Sequence, residues 1–200
     1  MDIEIASYVR DGRVVAVRMA NSLPRRTEVL NLRTSYYEST LRQLGVATWD
    51  GHDERAAAHL LCLEDDRAVA SIRVVLNIGE RTELHDDFGR PDELIPRPGR
   101  PFVTFGRQLV TPDRRGTGMS AVLVHAACLW CGRHSDVEAL RVVSLFERAA
   151  AVEELGMRRL TGVLPLGPGR TPVVVLGGEV SGVFTVATQR LRAAGWSVAG

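Results

Sequence analysis

Gln108-Leu-Val-Thr-Pro-Asp-Arg-Arg-Gly-Thr-Gly-Met-Ser120 is the stretch whose residue types and spacing point most directly to chemistry. An apolar run, Phe102 to Val110, precedes it, and Ala-Val-Leu-Val-His-Ala-Ala-Cys-Leu-Trp, a strong helix former, follows it. Strand, Pro-marked turn, glycine loop and helix in that order aim successive backbone N–H groups at one point, at the positive end of a helix dipole. Such a point is an anion site and suits a pyrophosphate. Gly116 and Gly118 allow close backbone approach and unusual φ/ψ, and Arg114 and Arg115 add charge beside them. A Walker loop needs a Lys after its second glycine, and this chain has no Lys. A dinucleotide fingerprint, G-x-G-x-x-A, can be read at Gly116, Gly118 and Ala121. There the strand should run straight into the first glycine and an acid should end the next strand. Here Thr111 to Arg115 intervene, and Ser144 stands where the acid should be. The bland alternative is a polar surface turn ahead of a core helix.

A third kind of phosphate loop fits better. The stretch resembles the acetyl-CoA-binding loop of the GNAT superfamily of N-acyltransferases, V-x-P-x-x-R-G-x-G-x-G/A. Val110, Pro112, Arg115, Gly116 and Gly118 match, and Ser120 stands in place of the last Gly or Ala. The resemblance implies a coenzyme A thioester as co-substrate. It would be held by Leu109 and Val110 on the strand, by Arg114, Arg115, Gly116, Thr117 and Gly118 in the loop, and by Met119 and Ser120 at the helix start. Leu155-Gly156-Met157 is similar to the L-G-F that closes the last main helix of these domains.

The region from about Leu32 to Val110 resembles a narrower group, the acyl-homoserine-lactone synthases and long-chain N-acyl amino acid synthases, which use a GNAT-like fold. These carry an Arg and an aromatic on the first helix, here Arg33 and Tyr37, then two acids, here Asp50 and Asp53. An Arg follows on a strand, here Arg73, then a loop with a Phe, here Phe88, then a strand bearing E-x-x-R. This chain has Thr104-Phe-Gly-Arg107, so the Arg matches and the Glu does not. The resemblance implies Arg33, Tyr37, Arg73 and Thr104 at the substrate and Arg107 at the catalytic centre. The missing Glu points to an acceptor other than that of a homoserine-lactone synthase.

The reaction implied is acyl transfer from a thioester to an amine. In the resembling family a bulge on the strand before the loop exposes a backbone N–H to the thioester oxygen; here it would come from Leu109 or Val110, and such donors stabilise a tetrahedral oxyanion. The proton of the attacking amine would pass to Asp50, Asp53, Glu147 or a His. Many GNAT domains protonate the leaving thiolate with a Tyr in Y-x-x-L-G-F. Val152 occupies that place, leaving Ser144, water or an unassisted departure. Structural readings compete: Arg33 with Asp50 or Asp53 as an ion pair, Arg73 and Arg107 as outward-facing strand residues, His125 as a packed side chain. The rivals in function are an acetyl-CoA-dependent acetyltransferase of a metabolite, a catalytically degenerate CoA-binding domain and a dinucleotide binder.

The elements that must position these residues can be read in order. Ile3 to Tyr8 and Val14 to Met19 flank Asp11-Gly12, a hairpin signal. Arg26 to Leu44 has helical spacing and stops at Gly45. Thr48 to Arg55 reads as a loop or short irregular turn, and Ala57 to Glu64 and Arg67 to Asn77 read as strands joined at Asp65-Asp66. Gly79 to Arg100 reads as a long, substrate-facing loop. After the glycine loop and its helix come a strand at Ala139 to Val143 and a helix at Phe146 to Leu155. Strands at Val163 to Leu166 and Val173 to Leu176 precede a terminal helix at Val183 to Ala193. The expected fold is α/β (α+β): a GNAT-like mixed, mostly antiparallel central sheet flanked by helices, in one domain over 1–200.

Composition narrows the partners. A net charge of +1 offers no field for nucleic acid, and no run approaches a membrane span. The three cysteines are odd in number and Met1-Asp-Ile-Glu-Ile is no signal peptide, which points to free thiols and a cytoplasmic protein. Cys128-Leu-Trp-Cys131 falls mid-helix with no second pair, and His52, His59, His85 and His134 lack ligand spacing, so no metal is expected. The partners are a small-molecule, amino-acid or peptide amine acceptor and acyl-CoA. An acyl carrier protein is the alternative donor, for which Arg25-Arg26, Arg114-Arg115 and Arg158-Arg159 are basic candidates.

Overall fold

The computed structural model describes residues 2–45, 47–55, 58–78, 83–88 and 100–199. The chain opens with the hairpin β1 (Ile3–Arg10) and β2 (Arg13–Met19). Asp11 and Gly12, with φ of 51° and 75°, make the two-residue turn whose twist matches that of the strands. Helix α1 (Leu23–Leu44) starts earlier than Arg26, at a Pro-containing first turn, and ends at Gly45, which adopts φ 68°. The segment read as an irregular turn holds a one-turn helix, α2 (Gly51–Glu54). Strands β3 (Ala58–Glu64) and β4 (Arg67–Asn77) follow, joined by Asp65 and Asp66, both left-handed at φ 49° and 61°. Of the long loop, Glu83–Phe88 forms a short helix, α3, and the rest up to Gly99 lies outside the described residues.

The glycine loop sits where the sequence puts it, between β5 (Phe102–Val110) and α4 (Met119–His134), with a 3-10 turn at Pro112–Arg114. Next come β6 (Ala139–Leu145), a 3-10 turn at Phe146–Arg148 running into α5 (Ala149–Glu153), and β7 (Arg158–Arg159). The chain finishes with β8 (Leu164–Leu166), β9 (Thr171–Glu179), α6 (Val180–Ala193) and β10 (Ser197–Val198). The two-residue strands β7 and β10 are too short to leave a periodic signal.

The sheet runs β10-β1-β2-β3-β4-β5-β6-β9-β7, with β8 also on β9. Among the described residues every pairing is antiparallel except β5 with β6. Both faces are covered, which is why β3, apolar from Leu60 to Leu63, is buried along its whole length. Strand alternation separates the faces: Leu60 and Cys62 join the core under α4 and α6, whereas Leu61 and Leu63 pack beneath α1 with Val29 and Leu32. The three cysteines are free and buried, and burial pushes each thiol up. No helix among the described residues is long and apolar enough to cross a membrane.

The feature that positions the site is a split in the sheet. β5 and β6 pair only at Phe102↔Ala139, Val103↔Leu140 and Thr104↔Arg141, then part. β6 stays with β9 as far as Leu145↔Val173, and β5 stays with β4. Opposite β4, the register passes from Arg73↔Gly106 to Ser71↔Leu109, so β5 carries one extra residue between them. Arg107 in this bulge has φ 53°, the left-handed region that an L side chain rarely adopts. Bulges bend their strand and sharpen its twist, and this one turns β5 away from β6.

The glycine loop closes the open end of the split. Gly118, the residue before α4, has φ 84°, and a Cβ there would lie 2.5 Å from the Ala194 Cβ and 3.3 Å from the Trp196 ring. Trp196 Nε1 and Arg10 Nη1 each donate to the Thr117 carbonyl at 2.7 Å, so the C-terminal segment and the end of β1 brace the loop. Gly116, at φ 74°, faces open space with nothing within 4 Å of a Cβ. The two glycines therefore answer different demands. Gly116→Ala is expected to cost about 1–2 kcal/mol through backbone strain alone. Gly118→Val, which adds overpacking of about 1–3 kcal/mol, should cost clearly more. Urea unfolding of both variants measures the difference, and equal losses would show that the Ala194 contact yields freely.

Candidate active site

The split forms a cleft of about 310 Å³, lined on the β5 side by Leu109 and Val110 and on the other by Val142, Ser144, Val152 and Leu155. Thr111 N–H donates to Val69 O at 2.9 Å, so Thr111 faces β4. Alternation then turns the Val110 N–H and C=O away from β4, toward the cleft. The Arg115 Nε contact to Val110 O at 3.4 Å agrees with that direction. Of the two backbone donors considered on sequence, Val110 is the one the pairing turns toward the cleft. The extra residue itself lies at Arg107–Gln108, earlier on the strand.

At the mouth, a second cavity of about 470 Å³ lies between the loop and the end of α6, bounded by Arg115, Gly116, Ser120, Arg190 and Ala194. Arg115 and Ser120 line both cavities. Arg114 is turned elsewhere: its Nε and Nη2 bind the Glu64 carboxylate at 2.6 and 2.5 Å. Thr117 spends its hydroxyl on the Arg114 carbonyl at 2.7 Å, and Met119 is buried in the core. Of the loop residues singled out from the sequence, Arg114, Arg115, Gly116, Gly118, Met119 and Ser120 line the cavity, with the Arg114 guanidinium bound to Glu64, whereas Thr117 serves the loop's own structure.

On the α1 side a third cavity, about 90 Å³, is lined by Tyr37, Leu41, Asp50, Arg73, Thr104 and Arg107 among others. It meets the cleft at Tyr37, Phe105, Gly106, Arg107 and Val143, which line both. Its wall is an ion cluster. Arg33, 0% exposed, binds Asp53 at 2.7 Å and the Thr48 carbonyl at 3.3 Å, and its guanidinium lies 5.5 Å from the Trp49 ring centre. Arg73 reaches Asp50 at 2.9 Å and Asp53 at 3.2 Å, and Arg107 reaches Asp50 at 2.5 Å. Arg73 and Arg107 are buried, so the outward-facing reading of these strand residues is corrected: the bulge and α2 fold them inward over the carboxylates.

The spacing of Asp50 and Asp53 has a local cause as well. Asp50 accepts from the His52 and Asp53 N–H groups, and Asp53 accepts in return from the Asp50 N–H at 2.9 Å. This reciprocal capping box nucleates α2. Acids three residues apart were the available signal for that helix. His59 completes the cluster, with Nε2 donating to the Asp53 carbonyl at 3.0 Å and the ring stacked on Trp49. Burial holds its pKa down and its imidazole neutral.

These contacts decide which candidate bases remain. Burial alone would raise the Asp50 pKa, but the Arg73 and Arg107 guanidiniums outweigh it and hold the carboxyl at about 2. A base that weak takes few protons from an amine at neutral pH. Both Asp53 oxygens are engaged, and its side chain is 0% exposed. Glu147, 76% exposed, lines none of these cavities. Ser144 lines the cleft, with its hydroxyl donating to the Leu145 carbonyl at 3.1 Å. Thr104, where the resembling family has Glu, receives the Asn77 amide at 3.2 Å. His52 lines the small cavity, its Nδ1 facing Arg55 at 3.2 Å.

A carboxyl held low in the folded state stabilises the fold above its unfolded pKa and stops doing so as pH falls through the folded value. For Asp50 that window runs from about pH 4 down to about pH 2. The stability gap between the wild type and Asp50→Asn should therefore shrink by about 2 kcal/mol across it. Denaturant titrations at several acidic pH values test this, and a gap that stays constant would remove the two guanidiniums as the cause.

No family model and no curated protein matches the sequence. Solved structures do match. FeeM, an N-acyl amino acid synthase from uncultured soil microbes, aligns with TM-score 0.70 at 10% identity, covering 86% of this chain and 93% of that one. BjaI, a CoA-dependent acyl-homoserine lactone synthase solved with SAM and isopentyl-CoA, gives TM-score 0.58 at 19% identity over 86% of each chain. Arabidopsis thaliana Naa50, in complex with the bisubstrate analogue CoA-Ac-MVNAL, gives 0.59 at 15% identity over 82% and 97%. Identities this low carry the architecture and not the substrates. The split sheet with its glycine loop, and the likeness of 82–86% of the chain to these proteins, give this chain the fold of the GNAT N-acyltransferases.

Proposed function

We propose that this protein is an N-acyltransferase that moves an acyl group from acyl-CoA to the amine of a small molecule such as an amino acid. The observation that carries the reading is the meeting of two cavities at the β5 bulge. One is a largely apolar cleft that opens at a helix N-terminus. The other is a smaller pocket on the far side of Arg107, lined by charged and apolar side chains alike. A thioester has a long donor arm and an anionic tail, and an amine must reach its carbonyl from the opposite side.

The pyrophosphate would lie at the start of α4, against Gly116 and Ser120, with Arg115 beside it. The pantetheine arm would occupy the split, where β5 lacks a strand neighbour after Thr104. The Val110 N–H would then donate to the carbonyl oxygen as it gains negative charge. A donor of that kind is worth about 3–4 kcal/mol. The acceptor would sit in the small cavity, where Asp50 and Asp87 stand beside Arg73 and Arg107 and offer polar groups to an amine.

Coenzyme A is favoured over a carrier protein because the basic pairs are partly spent. Arg25 is tied to Glu28 and Asp66, Arg114 to Glu64, and Arg159 to Glu153. FeeM makes an N-acyl amino acid and BjaI is CoA-dependent, and both suit this reading. A medium or long acyl chain is the preferred donor, matching the apolar lining of the cleft by Val124, Val142 and Leu155.

Acyl-CoA near 100 times its Kd should raise the melting temperature by about 5–10 °C, and Arg115→Glu should remove most of that shift. In a thiol-release panel, amino acids and small amines should accelerate CoA release from medium- and long-chain acyl-CoA more than from acetyl-CoA. A preference for acetyl-CoA would overturn the chain-length reading. Stabilisation by NAD but not by CoA would overturn the donor reading.

A further inference from the structure

The proposed chemistry leaves the departing sulfur without a proton. In the motif that often supplies a Tyr for that step, this chain has Val152, which lines the cleft with no group to donate. The Ser144 hydroxyl is directed to the Leu145 carbonyl. We infer that Tyr37, arriving from α1 on the opposite face of the sheet, is the residue that protonates the leaving thiolate. The inference rests on the transferase reading and adds a catalytic residue to it.

The placement follows from α1. Arg33 is fixed by Asp53 in the ion cluster, and a residue four positions on stands over it on the same helix face. That residue is Tyr37, with Leu41 another turn along. Tyr37 packs its ring against the apolar group under α1 that includes Leu109, the neighbour of Val110. It lines both the donor cleft and the acceptor pocket. Its hydroxyl makes no hydrogen bond to any described residue, so its proton is committed nowhere else. Tyr36 lines the cleft alone and is exposed. The group of synthases resembled by this chain asks only for an aromatic at this place. The hydroxyl is what this chain adds.

The amine nitrogen adds to the thioester carbonyl carbon, and the carbonyl electron pair moves to oxygen against the Val110 N–H. When the pair returns, the C–S bond breaks and its electrons go to sulfur. Tyr37 gives its phenolic proton to that sulfur. The proton lost by the amine nitrogen passes through water to the tyrosinate and restores it. The products are the amide and free CoA thiol.

The test is Tyr37→Phe, which keeps the ring and its packing. With acyl-CoA, kcat should fall by about 100-fold, at the lower end for a general acid, while KM changes by less than about threefold. The discriminating donor is the acyl thioester of 4-nitrothiophenol, whose thiolate is stable without a proton. With it, wild type and Tyr37→Phe should differ by less than about fivefold. An equal loss with both donors would overturn the inference and make Tyr37 a positioning residue. No loss with acyl-CoA would overturn it as well. If the wild type binds CoA but releases thiol from neither donor with any amine, the transferase reading itself fails, and the role of Tyr37 falls with it.

Discussion

Asp50 ties two guanidiniums from neighbouring strands to one carboxylate, and the shape of the site depends on that tie. Arg73 comes from β4 and Arg107 from the bulge in β5. A non-glycine residue in the left-handed region costs about 1–2 kcal/mol, so the bulge persists only where something holds it. The Asp50–Arg107 contact does so from outside the sheet, because α2 presents Asp50 as its cap. With the bulge held, β5 leaves β6 after Thr104, and the cleft exists. Without it, continued pairing of two adjacent parallel strands would satisfy the same backbone groups and close the opening.

Such a cluster is an expensive way to hold a fold. Burying charges costs several kcal/mol per ion, and a well-packed apolar substitute is often as stable. What the cluster supplies instead is orientation. Arg33 locks the inward face of α1, Asp53 locks α2, and Arg73 and Arg107 lock β4 to β5, all within one group of contacts. Four elements that meet at the small cavity thus share a reference point. The same contacts occupy both carboxylates, and the two guanidiniums hold the Asp50 carboxyl low, so it is a weak proton acceptor.

The parts of this arrangement differed in how far they were legible. The glycine loop could be read because its requirements are local: a turn-forming Pro, positive-φ glycines and a helix start within a dozen residues. The hairpin at Asp11-Gly12 and the stop at Gly45 belong to the same class. The individual duties of loop residues were not legible, since Arg114 answers to Glu64, which lies far away in sequence. Likewise Gly118 is demanded by Ala194 and Trp196 as much as by its own φ. The bulge left no trace in the pattern, because an extra residue shows only against a partner strand. Asp50 and Asp53 were recognised as a pair, but their spacing was read as chemistry when it is also the spacing of a helix cap.

The division of labour that results differs from one built on a strong base. Holding an amine and a thioester in register can by itself supply about 7–11 kcal/mol of the barrier, and an oxyanion donor about 3–4 more. Against these, a general acid or base contributes about 10²–10⁴-fold, the smaller share. A site of this fold can therefore lack a strand Glu and a helix Tyr and still keep the larger part of its barrier reduction, provided the geometry is rigid. Here rigidity is what the buried cluster and the braced loop provide. A proton donor then needs only to stand where the two substrates meet. A residue borne by α1 can do that as well as one on the last helix, because the cluster fixes α1 to β5, whose Val110 N–H would face the carbonyl.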